Sequence, residues 1–107
     1  MEKPKLQRKE LEDLYLQYFS NNEYLDDLVK TKKSPVYKTG TEKQRKELDF
    51  QVRFLKIALN DVLRVLIDHG HYDAKILKHA VKNRNLKFKT RWQCYKILST
   101  IPFKDWL

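Results

Sequence analysis

The chain of 107 residues holds one cysteine, two glycines and three prolines. A lone Cys94 cannot close an internal disulfide, which excludes a disulfide-stapled secreted scaffold and makes a reducing compartment the expectation. Scarce glycine and proline leave long uninterrupted stretches, a profile of helices rather than of a many-turned sandwich. Long apolar runs are missing too, since nothing approaches the roughly 20 residues of a membrane span. The start, MEKPKLQRKELED, has no apolar stretch behind its charges, so no signal peptide is expected and the protein is read as soluble and cytoplasmic. Abundant Lys, Asn, Tyr and Ile fit an AT-rich, phage-like or low-GC source.

The most consequential absence is negative charge. No carboxylate lies between Ala74 and Lys104, while Lys75, Lys78, Lys82, Arg84, Lys87, Lys89, Arg91, Lys96 and Lys104 all do. The net charge of +9 is unevenly spread: residues 1–30 carry 5 basic and 7 acidic groups, residues 31–60 carry 8 and 3, and residues 61–107 carry 10 and 4. Ordinary solvated surfaces mix the two signs, so a one-signed stretch this long points to an anionic partner.

What is present reads as a single helical domain over residues 1–107, all-α, a compact bundle of about five helices around a long central one. A first helix is expected from about Lys5 to Phe19, broken by Ser20-Asn21-Asn22, then a short second helix carrying Leu25, Leu28 and Val29. TKKSPVYKTG, with Pro35 and Gly40, reads as a flexible basic loop over residues 31–41. The central helix spans Glu42 to about His69, where Leu48, Val52, Leu55, Leu59, Val62 and Leu66 draw one seam in alternating steps of four and three. The seam is covered by the first two helices, or it pairs two chains, giving a monomer or a homodimer through the 42–69 helix. Gly70 ends the central helix, and Asp73 caps a fourth over Ala74–Lys82. Leu86-Lys87-Phe88-Lys89 alternates like an extended segment, and Thr90 opens a fifth helix. Capping-box spacing, a hydroxyl residue followed three positions later by Glu or Gln, occurs at Ser20/Glu23, Thr41/Gln44 and Thr90/Gln93.

The expected function is non-enzymatic binding of DNA or RNA, in a small transcription or replication regulator. Lys75, Lys78, Lys82, Arg84, Lys87, Lys89 and Arg91 are the expected phosphate contacts, with Asn85 and Gln93 adding limited base readout. The last two helices and their basic connection resemble a helix-turn-helix only loosely, because the connection is long and lacks glycine. Phe88 and Trp92 offer rings to unpaired bases, or Trp92 packs with Tyr95, Ile97, Leu98 and Ile101 onto the central helix while Leu86 and Phe88 plug the core edge; core packing is the expectation for these apolar residues. The alternative function is a small adaptor or inhibitor that grips a protein partner through the basic surface or through Phe103, Trp106 and Leu107 of the aromatic tail. No catalytic constellation emerges: Asp68 beside His69 lacks a nucleophile, and no glycine loop cradles phosphate. His69, His71, His79 and Cys94 match no metal-finger spacing, so neither metal nor cofactor is expected.

Overall fold

The structure, a computed structural model, describes residues 6–106. Among them the architecture is all-α: α1 (Arg8–Lys32), α2 (Pro35–Thr39), α3 (Glu42–Asp68), α4 (Ala74–Lys82), α5 (Phe88–Leu98) and a closing 3₁₀ turn (Phe103–Trp106). Lys5, expected to start the first helix, and Leu107 of the tail lie outside the described residues. No described helix is long and apolar enough to cross a membrane.

α1 runs unbroken through Ser20-Asn21-Asn22, against the expected break and the expected cap at Ser20. The reason is a heptad that keeps its phase: Leu11, Tyr18 and Leu25 are buried seven residues apart, with Asn22 between the last two on the same seam. Ser20 faces outward and turns its hydroxyl back onto the Gln17 carbonyl at 3.3 Å. The segment read as a basic loop contains the single helical turn α2, with Pro35 at its first position where a missing N–H costs nothing. Lys32 meets the Asp49 carboxylate at 2.9 Å, and the Tyr37 hydroxyl donates to it at 3.0 Å, tying this turn to α3. Lys32 and, after it, Tyr37 hold the Asp49 carboxyl below the usual aspartate range.

α3 begins as its sequence dictates. The Thr41 hydroxyl accepts from the Gln44 amide at 3.2 Å, and the Gln44 side chain accepts from the Thr41 amide at 3.1 Å, a complete capping box. At ~1.5 Å per residue its 27 residues run about 40 Å, most of the 48 Å long axis of the molecule. Its seam, with Val52, Leu59, Leu63 and Leu66 buried, packs on α1, so within the protomer the first helix covers it. Gly70 at φ +66° stops it in a Schellman turn: the His71 amide bonds the Leu66 carbonyl at 2.9 Å and the Gly70 amide bonds that of Ile67 at 3.0 Å.

α4 and α5 form a second packed pair. Asp73 caps α4 through the Ile76 amide at 3.0 Å and accepts the Tyr15 hydroxyl at 3.0 Å, so one carboxylate both starts α4 and pins it to α1. Burial, and then this bond to Asp73, push the Tyr15 phenol up to about 12. α5 begins at Phe88, two residues before the expected Thr90; Lys87 is the N-cap, and Thr90 is buried a turn inside rather than capping. Phe88 and Lys89, read as extended, are therefore helical.

Candidate nucleic-acid interface

The connection between α4 and α5, residues 83–87, is held by side-chain amides. Asn83 donates to Asn22 Oδ1 at 2.8 Å and to the Tyr18 hydroxyl oxygen at 3.1 Å, while its own Oδ1 accepts from the Asn85 amide at 3.0 Å. Asn85 donates to Asn22 Oδ1 at 3.0 Å and to Asp26 at 2.8 Å. On the far side Asn60 of α3 accepts the Lys87 amide at 3.1 Å and returns a bond to the Lys56 carbonyl at 2.7 Å. No buried side-chain nitrogen or oxygen among the described residues lacks a partner. These bonds brace the backbone that carries Arg84 and Lys87, whose side chains stay exposed.

The network continues to His79. The Tyr18 oxygen accepts from Asn83 and lies 2.9 Å from His79 Nδ1, which takes the hydroxyl proton in the tautomer that leaves this nitrogen bare. Burial lowers the His79 pKa, outweighing the opposing pull of Asp26. Burial also pushes the Tyr18 phenol up to about 12. A depressed histidine pKa means the unfolded chain takes up the proton first as pH falls. Its contribution to stability is then complete above the unfolded value of 6.5 and is lost as pH drops from there through the folded value. Urea midpoints at about pH 8 and about pH 5 should differ more for the native protein than for His79→Gln. Equal pH dependence of the two would show that burial does not hold the ring neutral.

Around the braced connection the cations fall along three neighbouring grooves that share residues. Lys75, Lys78 and Lys82 line the first with Phe19, Asp73, His79 and Trp106. Lys82 and Arg84 line the second beside Asn22 and Asp26. Arg84 and Lys87 line the third, joined there by Lys32, Arg53 and Lys56 of α1 and α3. Lys82 therefore belongs to the first two grooves and Arg84 to the last two, which makes the path continuous. Asp73, Asp105, Asp26 and Asp49 also border it; Asp49 pairs with Lys32, while none of the four forms an ion pair with Lys75, Lys78, Lys82, Arg84 or Lys87. Arg53 and Lys56 did not stand out in the sequence because they arrive from a helix read as structural.

Of the other expected contacts, Asn85 lines the second and third grooves, and the rest are turned to other tasks or lie outside the path. The Asn85 amide is committed to Asn22 and Asp26, leaving no donor for a base edge. Arg91 is half-buried and its Nε donates to the Val81 carbonyl at 3.1 Å, fastening α5 to the end of α4. Lys89 and Gln93 are exposed on α5, outside the three grooves. Lys78 donates to the Trp106 carbonyl at 2.6 Å, and the Trp106 indole donates to the Ile101 carbonyl at 3.0 Å, which folds the tail back onto α4. Phe103 remains 74% exposed.

α5 departs most from its expected packing. Its inward face is Thr90, Cys94 and Leu98, while Phe88, Trp92 and Tyr95, expected in the core, are 76%, 49% and 49% exposed. Their rings form one row, Phe88 and Trp92 at 6.4 Å and Trp92 and Tyr95 at 5.6 Å, nearly parallel, with Lys96 Nζ 5.7 Å from the Trp92 ring. The row starts one residue after Lys87 and stands on a helix without a single acid. Burial pushes the Cys94 thiol up to about 11, so the one cysteine is an inert part of the packing. Among the described residues no three His, Cys, Asp or Glu side chains gather as metal ligands would. No protein-family model, curated protein or solved structure matches the chain.

Proposed function

We propose that the protein binds DNA or RNA without catalysing a reaction, with phosphates following the path from Lys75 to Lys56 and unpaired bases stacking on the α5 ring row. The observation that carries this reading is the continuity of the basic path: cations from α1, α3, α4 and the 83–87 connection border grooves that run into one another. Phosphate binding at such a path releases condensed counterions, and exposed rings add stacking of about 1–3 kcal/mol per base without sequence preference. The reading implies a small cytoplasmic factor acting on the nucleic acid of transcription or replication. Docking of a protein partner is the second reading, favoured by the exposed Phe103 and by the ring row itself.

Fluorescence anisotropy with labelled single strands of DNA and RNA and with a duplex, at about 50 mM salt and upward, separates the two. The combined variant Lys82→Ala, Arg84→Ala, Lys87→Ala is expected to bind at least about tenfold more weakly and to flatten the log–log salt slope by roughly 2–3. Phe88→Ala with Trp92→Ala should weaken single strands by at least about thirtyfold and leave the duplex nearly unchanged. No complex with any of the three at low salt sinks the nucleic-acid reading, as does a triple variant that binds like the native protein.

A further inference from the structure

α3 carries a second heptad that α1 does not cover. Lys43, Glu47, Phe50, Phe54, Ile57 and Asp61 follow steps of four and three, on a face distinct from the Val52–Leu59–Leu66 seam. All six are exposed, and the three apolar members strongly so: Phe50 69%, Phe54 60% and Ile57 49%. The Phe50 and Phe54 rings stack at 6.3 Å and 18° in open solvent. A contiguous aromatic stripe of this kind on a charged helix marks an interaction surface.

The spacing of the stripe, though not its residue types, is unchanged when the helix is reversed. Reversed about Val52, position 43 falls on 61, 47 on 57, and 50 on 54. Such spacing lets one face pair with its own copy in a two-fold interface, where each residue i that meets j implies that j meets i. Antiparallel pairing about Val52 sets Phe50 against the partner subunit's Phe54 and Ile57 against the methylenes of the partner subunit's Glu47. At both ends it sets Lys43 against the partner subunit's Asp61. Within the protomer neither Lys43 nor Asp61 forms an ion pair among the described residues. Parallel pairing would instead place each lysine against lysine and each aspartate against aspartate, so the charges select the antiparallel register.

We infer that the exposed Lys43–Asp61 face of α3 is a homodimer interface, occupied by the same face of a second copy running antiparallel. The inference does not rest on the nucleic-acid reading. Residues 43–61 span about 28 Å of helix at ~1.5 Å per residue, under three heptads. That is short for a free coiled coil, but α3 is already folded by the bundle, so pairing bears no cost of forming the helix. The contact is modest, which sets the expected dissociation constant on the order of 10 µM.

Sedimentation equilibrium of the intact protein without nucleic acid tests this. The mass should rise from 13.0 kDa toward twice that as concentration passes on the order of 100 µM. Phe50→Glu should weaken association at least about tenfold. Lys43→Asp and Asp61→Lys should each weaken it, and the two together should restore it, because both variants change only exposed side chains and exchange one ion pair for its mirror. A protein that stays monomeric at every concentration overturns the inference. So does a dimer indifferent to Phe50→Glu, a charge exchange that fails to restore pairing, or a dimer broken by Trp92→Ala alone, which would move the interface to α5.

Discussion

Asn83→Ala is expected to destabilise the protein by about 2–4 kcal/mol, with a fall in melting temperature of about 10–20 °C. Asn83 is 8% exposed and its amide makes three bonds: it donates to Asn22 and Tyr18 of α1 and accepts from the Asn85 backbone of its own connection. Truncation removes more than three bonds of ordinary worth. The Asn85 N–H loses its acceptor, the Tyr18 oxygen loses its donor, and Asn22 Oδ1 keeps one partner of two. Each such group has surrendered its water on folding, so the cost is the desolvation penalty and not the net value of a bond. Against a total stability of about 5–15 kcal/mol this is a large fraction. Asn22→Ala should cost a similar amount, and the double variant less than the sum, because both remove the same contact. Urea titrations of the four proteins read the coupling directly. A loss under about 0.5 kcal/mol for Asn83→Ala would falsify the view that this amide network joins α1 to the α4–α5 pair.

The same network marks where the sequence could be read and where it could not. Local chemistry was legible: the Thr41/Gln44 box, the Asp73 cap and Gly70 each act within a few residues of where they stand. Ser20-Asn21-Asn22 misleads because three poor helix formers in a row look like a stop. What carries α1 through is the heptad of Leu11, Tyr18 and Leu25, on whose seam Asn22 is answered from some sixty positions away by the amides of Asn83 and Asn85. Thr90/Gln93 has capping-box spacing but sits inside α5, since the spacing is short enough to recur by chance. On α5 two stripes share the helical period, Thr90-Cys94-Leu98 and Phe88-Trp92-Tyr95, and hydrophobicity alone favours the aromatic one for the core. The smaller stripe faces inward instead, and its short side chains let α5 lie close against α4. Charge ran the other way. The carboxylate-free stretch from Ala74 to Lys104 shows where cations are dense, but not that Arg53 and Lys56 extend the path, nor that Arg91 turns aside to hold Val81.

Leu63→Ala should cost about 3–5 kcal/mol, the second large loss, while Phe54→Ala nine residues earlier on the same helix costs under about 0.5 kcal/mol in dilute solution. Phenylalanine is the larger side chain, so size alone predicts the reverse order. Leu63 is fully buried in the cluster with Leu59, Leu66, Ile76 and Leu77, where removing its methyls leaves a cavity that rigid neighbours cannot fill. Phe54 is 60% exposed and gives up little apolar contact within the protomer. Chemical denaturation of both variants at low protein concentration reads the two faces of α3 separately. Repeating the Phe54→Ala measurement at high concentration then isolates the second face. A ring that packs against another copy stabilises the folded state by mass action, so its loss should appear only as the native protein's own midpoint climbs with concentration. A Phe54→Ala penalty already present in dilute solution would instead place the ring in the protomer's fold and remove it from any interface between copies.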